Sequence, residues 1–304
     1  MSDALSSVER ALAWAAEHLR AASATPRLDA ELLLAHALGW PRAQVLAEGR
    51  APLADADLAL FRALVARRAA LEPVAYLLGH KEFYGLDFVV DRSVLVPRPE
   101  TELLVDTALS LAHRQTTDHG PPTTEATATS QSSVVGCRSS VVVADIGTGS
   151  GCIAVAVAAH LPGALVYATD LAPAALRVAR RNVERHGVAN RVRLLEGDLL
   201  DPLPEPIDLL LSNPPYTILA EIDAGVRRHE PRQALDGGPD GLAVYRRLLA
   251  ATPARLRLGG ALVLEIGADQ GAAVSALARA HFPAARIEVY QDLAGWNRVV
   301  VIET

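Results

Sequence analysis

The chain has 304 residues, of which 50% are hydrophobic and 21% charged, so its composition is typical of a globular protein and excludes a wholly disordered chain. Its formal net charge is −6, and the lack of a basic footprint disfavours nucleic acid as the main substrate. Cys137 and Cys152 have no spacing typical of a metal site, which argues against a disulfide scaffold or a structural zinc site.

Residues 1–80 are predicted to form a small helical domain. Apolar residues from Leu5 to Leu19 recur at helical spacing and give one face of a helix. Residues 29–40 and 55–73 carry two further helical patterns, each ended by glycine or proline. Because no strand pattern interrupts these segments, we expect an all-α domain.

The pattern changes in residues 81–97, where aromatic and β-branched residues nearly alternate with other residues and predict a connecting β-hairpin. Residues 98–304 form the third part, which starts with a helix entered through two prolines. Within it, residues 115–139 are polar and low in complexity, so we predict a disordered insertion that cannot offset its ordering entropy by burial.

From Val141 onward, seven apolar strand patterns alternate with helical ones. This order predicts an α/β fold with a mostly parallel, doubly wound sheet, and the last two strands are predicted to form an antiparallel pair at one edge. A ligand is expected at the carboxyl ends of the strands. No apolar run approaches the ~18 residues of a membrane span, and no secretory signal is visible, so we expect a cytoplasmic protein without a membrane partner.

A glycine loop, Gly147-Thr148-Gly149-Ser150-Gly151, follows the first of these strands and opens a helix. Glycines at such a place let the backbone turn sharply and let a ligand approach the main chain. The G-x-G-x-G spacing differs from the G-x-G-x-x-G of dinucleotide sites and resembles the first motif of methyltransferases that use S-adenosylmethionine (AdoMet). The alternative is a tight turn that binds nothing.

Carboxylates end the next two predicted strands. Asp170 stands where a carboxylate can accept hydrogen bonds from both hydroxyls of a ribose, and capping of the following helix is an alternative role that is compatible with this one. Asp198 stands where the amino group of an adenine would lie, and Leu199 can pack on the ring. The alternative for Asp198 is an ordinary loop carboxylate. Together these residues are candidates for binding a nucleoside.

The turn Asn213-Pro214-Pro215-Tyr216 follows the fourth strand and is the most specific feature of the chain. Two prolines remove two backbone donors and fix φ, which predicts a rigid turn. The Asn213 side-chain oxygen and the Pro214 carbonyl are then two acceptors that match one –NH2 group. Tyr216 can supply a flat surface for a planar amide or base. A purely structural turn is the alternative.

The chemistry that fits this turn is methylation of an amide or aromatic amine nitrogen. Such a nitrogen is a poor nucleophile because its lone pair is delocalised. Two acceptors that hold both N–H groups align the nitrogen, and transfer from an activated methyl donor then needs mainly positioning and no strong base. Asn213, Pro214 and Tyr216 are therefore the candidate catalytic residues, and Pro215 completes the candidate substrate-binding turn.

Segments along nearly the whole chain resemble the protein-(glutamine-N5) methyltransferases of the HemK/PrmC family. These segments are ATPRLDAELLLAHALGW, RRAALEPVAYLLGHKEFYGLDF, VLVPRPETELLVD, DIGTGSGCIAVAVA, SNPPY, EPRQALDGGPDGLAVYRRLL and LEIGADQG. The resemblance implies an AdoMet-dependent, Rossmann-like methyltransferase domain behind a substrate-recognising helical domain. It also implies methylation of the glutamine in the Gly-Gly-Gln motif of class I peptide chain release factors. We further expect a monomer that does not bind nucleic acid directly.

By the same resemblance, residues 147–151, Asp170, Asp198-Leu199 and Asn213 contact AdoMet, and residues 213–216 hold the glutamine. The chain departs from the family at Leu199, where relatives often carry an aromatic residue, and in the length of the 115–139 insertion.

Three alternative functions stay open at this point. A sister enzyme that methylates a glutamine of a ribosomal protein would share the same turn. A DNA adenine-N6 methyltransferase also uses Asn-Pro-Pro-Tyr, although the net charge of −6 argues against it. A noncatalytic AdoMet-binding adaptor is the third. Arg98, Glu100 and Glu230 could each line the site or serve only as structural anchors.

Overall fold

Helices form the N-terminal part of the protein. The computed structural model describes residues 7–117 and 140–304. The first helix and its neighbours bury their apolar faces in a shared core that includes Leu12, Leu34 and Phe61. The three predicted helices are confirmed, and two short additional helices have too few residues for a detectable period. The helices span Val8–Leu19 (α1), Pro26–Leu38 (α2), Arg42–Ala47 (α3), Asp55–Ala69 (α4) and Val74–Leu78 (α5).

A β-hairpin follows the helices, as predicted, but its strands end at Val89, short of the predicted boundary at residue 97. Its strands are His80–Phe83 (β1) and Leu86–Val89 (β2), and the two residues between them have φ of 53° and 71°. Positive φ at both turn residues suits the right-handed twist of paired strands. Asn182 fixes the hairpin to the rest of the chain, because its Oδ1 accepts from Val89 N at 2.7 Å and its Nδ2 donates to Val89 O at 2.9 Å.

The remaining described residues alternate strands and helices, also as predicted. The helices span Glu102–Thr117 (α6), Cys152–His160 (α7), Pro173–Arg185 (α8), Ala224–His229 (α9), Ala243–Ala251 (α10) and Gly271–His281 (α11). The strands span Val142–Ile146 (β3), Leu165–Asp170 (β4), Val192–Glu196 (β5), Ile207–Ser212 (β6), Leu256–Glu265 (β7), Arg286–Gln291 (β8) and Asn297–Glu303 (β9). The sequence analysis did not predict α9, which has six residues.

The strands form one seven-stranded sheet in the order β5-β4-β3-β6-β7-β9-β8. Strands β3 to β7 pair in parallel, whereas β9 is antiparallel to both of its neighbours. Helices α6 and α7 cover one face of the sheet, and α10 and α11 cover the other. The predicted doubly wound α/β sheet with an antiparallel pair at one edge is therefore confirmed.

The chain reverses direction across the sheet at β3. It runs outward from β3 to β4 and β5, and then returns to β6 on the other side of β3. Open α/β sheets bind ligands outside the carboxyl ends of the strands at such a point. The glycine loop follows β3 and Asn213 follows β6, so the two strongest sequence motifs lie at this position.

The end of the helical segment packs on the α/β part. Ala75 and Tyr76 of α5 share an apolar cluster with Val94 and with Val178 of α8. The Tyr76 hydroxyl donates to Val94 O at 2.5 Å. The described helices between Val8 and Leu78 thus form the N-terminal part, and the last of them also packs on the α/β part.

The predicted insertion at residues 115–139 is only partly covered by the described residues. Helix α6 extends to Thr117, and residues 118–139, including Cys137, lie outside them. In the described ranges, no helix is long and apolar enough to cross a membrane. No group of three or more His, Cys, Asp or Glu side chains in those same ranges is placed to hold a metal ion.

Candidate active site

A cavity of about 650 Å³ opens at the carboxyl ends of the central strands. Most residues that the sequence analysis singled out lie on its wall. Gly151, Pro214 and Tyr216 do not line it. The predicted residues on the wall are Gly147, Thr148, Gly149, Ser150, Asp170, Asp198, Leu199, Asn213 and Pro215.

The glycine loop leaves open space on its cavity side. Gly147 and Gly149 have φ of 75° and 55°, and no heavy atom lies within 4 Å of the position that a Cβ would take at either residue. Gly151 has φ of 81° and is packed differently, since its Cβ would lie 3.2 Å from the Cβ of Ala179 in α8. The first two glycines therefore give a ligand access to the backbone, whereas Gly151 lets the loop pack on α8.

Asp145, near the end of β3, holds this loop from below. Its Oδ2 accepts from Thr148 Oγ1 at 2.6 Å and from Ala154 N at 3.1 Å. Its Oδ1 has no hydrogen-bond partner among the described residues. Complete burial raises the pKa of Asp145 to about 7, against the opposing effect of these two donors. Asp145 is thus a structural carboxyl beneath the cavity floor.

Asp170 connects the glycine loop to the start of α8. Its Oδ2 accepts from Gly149 N at 2.8 Å, and its Oδ1 accepts from Ala172 N at 2.9 Å. Burial raises its pKa, although both backbone donors act against the shift. Each carboxylate oxygen can accept a further hydrogen bond, so the structural role next to the helix start leaves capacity for ribose hydroxyls.

Asp198 and Leu199 form the wall after β5. Asp198 makes an ion pair with Arg247 of α10, and both side chains line the cavity. Leu199 has φ of 47°, and its carbonyl accepts from Thr169 Oγ1 at 3.0 Å. A non-glycine residue in this left-handed region costs on the order of 1 kcal/mol or more, so its neighbours hold it there. Strain of this kind is often found in ligand clamps.

The Asn213 turn presents two acceptors. Asn213 Nδ2 donates to Thr101 Oγ1 at 3.2 Å. Within residues 7–117 and 140–304, no donor is hydrogen-bonded to Asn213 Oδ1 or to the Pro214 carbonyl oxygen. Ser212 fixes the base of the turn, since its Oγ donates to Ile146 O at 2.7 Å. The two acceptors proposed from the sequence are thus present and without protein donors.

Residues 235–241 support the turn from behind. Thr217 N donates to Leu235 O at 3.1 Å, and Gly237 N donates to Thr217 O at 2.9 Å. Gln270 Nε2 donates to Tyr216 O at 3.0 Å. A Cβ on Gly237 would lie 2.7 Å from the Tyr216 carbonyl carbon, so a larger residue would displace the turn.

The Tyr216 side chain points away from the cavity wall toward β7. Its hydroxyl donates to Glu265 Oε1 at 3.3 Å, and its ring packs against the core beneath the turn. Burial is the first cause that raises the pKa of Tyr216, followed by the nearby Glu265 carboxylate. Burial also raises the pKa of Glu265 to about 7. The structure thus places Tyr216 where it can hold the turn.

Arg98 lines the cavity and also makes an ion pair with Glu230. It can therefore line the site and serve as a structural anchor at the same time. Glu230 is buried, and its Oε2 accepts from Val96 N at 3.1 Å. Pro231 lies on the cavity wall next to it. This pair therefore ties the segment before α6 to the segment after α9.

Comparison with known proteins identifies the family of the chain. The PrmC N-terminal domain matches residues 10–79, and the methyltransferase small domain matches residues 133–230. A release factor glutamine methyltransferase of Moorella thermoacetica is 44% identical over 277 residues, which cover 90% of this chain and 89% of that protein. The chain belongs to the release factor glutamine methyltransferase family.

Other relatives extend the match. The protein of the same name from Rhodopirellula baltica is 39% identical over 303 residues and covers 97% of this chain and 96% of its own. The N-terminal domain of human METTL16 in complex with SAH has a TM-score of 0.51 at 19% identity and covers 84% of this chain and 85% of that one. That likeness shows a shared fold. The predicted family, methyltransferase fold and enzyme class are confirmed.

The cavity wall also includes residues that were not predicted from the sequence as site residues. Thr101 and Arg247 line the cavity, as do the residues around Arg232. Thr101 stands inside VLVPRPETELLVD, between the charged residues Glu100 and Glu102. Arg247 stands inside VYRRLL, where an arginine on a helix has no distinguishing pattern. Their roles depend on contacts with residues distant in sequence.

Proposed function

We propose that this protein methylates the side-chain amide nitrogen of the glutamine in the Gly-Gly-Gln motif of class I peptide chain release factors, with AdoMet as methyl donor. The observation that carries the proposal is the Asn213 side chain, which lines the same cavity as the glycine loop and whose Oδ1 accepts no hydrogen bond from the described residues. The names of the relatives support the substrate. We place the reaction in the cytoplasm, where bacterial translation ends.

The residues present fit AdoMet. The open side of Gly147 and Gly149 gives room for a ligand against the backbone, and Asp170 offers acceptors for ribose hydroxyls. Asp198 and Leu199 stand on the wall where the adenine would bind. The Asp198 carboxylate, which makes an ion pair with Arg247, would then also accept a hydrogen bond from the adenine amino group. When bound, AdoMet supplies a methyl group activated by its sulfonium.

The Asn213 turn would hold the substrate amide. Asn213 Oδ1 and the Pro214 carbonyl accept the two N–H bonds of the glutamine –NH2 group and set its nitrogen toward the donor side of the cavity. Tyr216 holds the turn through Glu265, and Gln270 holds it through the Tyr216 carbonyl. Because these contacts exist before substrate binds, the acceptors need little rearrangement during the reaction.

The same two acceptors explain why the reaction would need no strong base. As the nitrogen gains the methyl group it becomes positively charged, and its N–H bonds become stronger donors to Asn213 Oδ1 and Pro214 O. Hydrogen bonds to a charged donor are about twice as strong as neutral ones, so the turn favours the transition state over the ground state. The methylated nitrogen is far more acidic and then loses one proton to solvent.

The test is mass spectrometry of a purified class I release factor incubated with the protein and AdoMet. We expect one added methyl group on the glutamine of the Gly-Gly-Gln motif. Asn213→Ala should lower kcat roughly 10²–10³-fold, by analogy with the loss of one preorganised group at a charge-stabilising site. AdoMet affinity should fall less, because Asp170 and the glycine loop are unchanged. Asn213→Asp keeps an acceptor at this position and should retain measurable activity.

Asn190→Ala is the matched control, because this asparagine is exposed in a turn and does not line the cavity. It should methylate at the wild-type rate. Full activity of Asn213→Ala on intact release factor would remove the turn from the mechanism. Methylation of a ribosomal protein but not of a release factor would instead show that the substrate is a different glutamine.

A further inference from the structure

A buried carboxylate joins the helical part, α1 to α5, to the segment that follows the hairpin. Glu72 stands between α4 and α5 and is 3% exposed. Its Oε2 accepts from Arg67 Nε at 2.9 Å, and its Oε1 accepts from Nη2 of Arg67 and of Arg92, each at 2.8 Å. Burying a carboxylate is costly unless it is paired and hydrogen-bonded in this way, so both arginines are needed where Glu72 stands.

Arg92, the partner from outside the helical part, belongs to the wall of the site cavity. It directly precedes residues 93–95, which line the same cavity as Asn213. Its other neighbour in the chain, Asp91, accepts from Arg181 of α8 at 2.6 Å. The Glu72–Arg92 pair therefore connects the helical part with a wall segment that α8 also holds.

The residues next to Glu72 contact α9. Leu71 has φ of 69°, a conformation that a non-glycine residue keeps only where its surroundings hold it. His229 Nε2 donates to Ala70 O at 3.1 Å, and a Cβ on Gly225 would lie 3.0 Å from the Cβ of Leu71. Residues 70–72, which we call the joint, are thus held by contacts from α4, from α9 and from Arg92.

A groove of about 820 Å³ lies between the helical part and the α/β part. Leu32 and Leu71 line it from the helical part, and Val226 of α9 lines it from the other. Pro97 and Arg98 line both the groove and the site cavity, so the two spaces adjoin. Because its walls come from both parts, the width of the groove depends on how the joint places the helical part.

We propose that Glu72 and Arg92 are positioning residues that set the width of this groove, and that the groove holds the chain of the release factor beside the target glutamine. The inference rests on the proposed function. A release factor is far larger than a cavity of about 650 Å³, so only the glutamine can enter it and the adjoining chain must lie outside. Neither Glu72 nor Arg92 lines the groove or the cavity, so neither touches the substrate.

A loosened joint should weaken binding of the release factor and leave the chemical step unchanged. Without the Glu72–Arg92 pair, only a fraction of the molecules has the groove at the width that fits the substrate. The apparent dissociation constant equals the intrinsic one divided by that fraction. Once bound, the glutamine meets an unchanged Asn213 turn, and AdoMet meets an unchanged glycine loop. The KM for release factor should therefore rise while kcat and the Kd for AdoMet stay constant.

The first test uses Arg92→Ala and Glu72→Gln. Arg92→Ala leaves Glu72 bound to Arg67 and should raise the KM for intact release factor about threefold to tenfold, a modest range because Arg92 is largely exposed. Glu72→Gln removes the charge that both arginines bind and should raise it about tenfold or more. In both variants kcat and the calorimetric Kd for AdoMet should stay within about twofold of wild type. A wild-type KM in both, or a fall in kcat in place of the rise in KM, would overturn the inference.

The double variant tests whether the two residues act as a pair. If they act through each other, Arg92→Ala should raise KM no further in the Glu72→Gln background. Independent effects that multiply would show that Arg92 acts by another route, such as direct contact with the release factor, and would overturn the pair. Urea unfolding shows whether Glu72→Gln is folded. If it is not, the KM of Arg92→Ala alone decides, because Glu72 keeps Arg67 in that variant.

Glu31 supplies the matched control. It is 5% exposed in α2 and likewise binds two arginines, with Arg27 Nε at 2.7 Å and Arg42 Nη2 at 2.8 Å. All three residues belong to the helical part, so this group does not cross to the cavity wall. Arg42→Ala, like Arg92→Ala, removes one of two arginines from a buried glutamate, and it should keep the wild-type KM. A rise as large as that of Arg92→Ala would show that loss of any such pair weakens binding, and would refute a specific role of the joint.

Failure of this inference is distinguishable from failure of the proposed function. If the wild-type protein does not methylate release factor, the proposed function fails, whatever the variants do. If wild type methylates it and Asn213→Ala is inactive, while Arg92→Ala and Glu72→Gln keep the wild-type KM, the function stands and the role of the joint is refuted.

Discussion

Alanine substitutions at two positions of the glycine loop, Gly149 and Gly151, should separate effects on AdoMet binding from effects on folding. Gly149 lines the cavity, has φ of 55°, and has no heavy atom within 4 Å of a Cβ position. Gly151 has φ of 81° and does not line the cavity, and a Cβ there would lie 3.2 Å from Ala179 Cβ and 3.3 Å from Ala179 Cα. Gly149→Ala should therefore mainly impair AdoMet binding, and Gly151→Ala should mainly impair folding.

The magnitudes follow from these distances. A non-glycine residue in the left-handed region costs about 1 kcal/mol, so each substitution should lower the free energy of unfolding by at least that amount. At Gly151 the contact with the Ala179 backbone adds a packing penalty of about 1–3 kcal/mol, because α8 would have to move. At Gly149 the methyl group enters the ligand's space, and we expect the Kd for AdoMet to rise at least about tenfold.

Gly187 provides the matched control for backbone conformation. It follows α8 with φ of 66°, has open space around a Cβ position, and does not line the cavity. Gly187→Ala should lower the free energy of unfolding by about the same 1 kcal/mol as Gly149→Ala and leave AdoMet affinity unchanged. Urea unfolding gives the stabilities, and calorimetric titration gives the affinities. Wild-type affinity in Gly149→Ala would refute the glycine loop as the cofactor site.

Two further outcomes follow from the carboxyl groups. Asp170→Ala should raise the Kd for AdoMet roughly 10–100-fold, as measured by calorimetric titration. It should also lower the free energy of unfolding by about 2 kcal/mol in urea unfolding, because Gly149 N and Ala172 N lose their acceptor. Asp145 and Glu265 have pKa values raised to about 7, so both bind protons more tightly in the folded state. Their stabilising effect is complete below their unfolded pKa values and is lost as pH rises to about 7, by up to roughly 3 kcal/mol for Glu265. Urea unfolding should therefore show a lower free energy of unfolding at about pH 8 than at about pH 5.5, and Glu265→Gln should reduce the difference.

The elements that the sequence predicted well are those determined by local pattern. Apolar periodicity of 3.6 and near-continuous apolar strands identified the long helices and the seven-stranded sheet. The short helices α3, α5 and α9 span at most six residues and have no detectable period. Their positions depend on packing, as for α5, whose Tyr76 joins a cluster with residues of α8.

The candidate site was predictable to the same extent. The glycine loop and the Asn213 turn have unusual local chemistry and were predicted as candidates from the sequence, and the structure places both at one cavity. Tyr216 shows the limit, because its neighbour Asn213 faces the cavity while its own hydroxyl reaches Glu265 on the next strand. Arg247 is a second example of this limit, because its contact with Asp198 exists only once the fold brings α10 to the end of β5.

Several segments that are distant in sequence hold the Asn213 turn in place. Segment 235–241 forms its rear wall, Gln270 after β7 holds its backbone, and Glu265 at the end of β7 holds its tyrosine. Thr101, more than a hundred residues earlier, binds its asparagine. A turn with two prolines is rigid in itself, but rigidity fixes only the backbone. The direction of a side-chain amide is set by hydrogen bonds from outside the turn, so a site that must distinguish an acceptor from a donor needs these supporting segments in addition to the four residues of the motif.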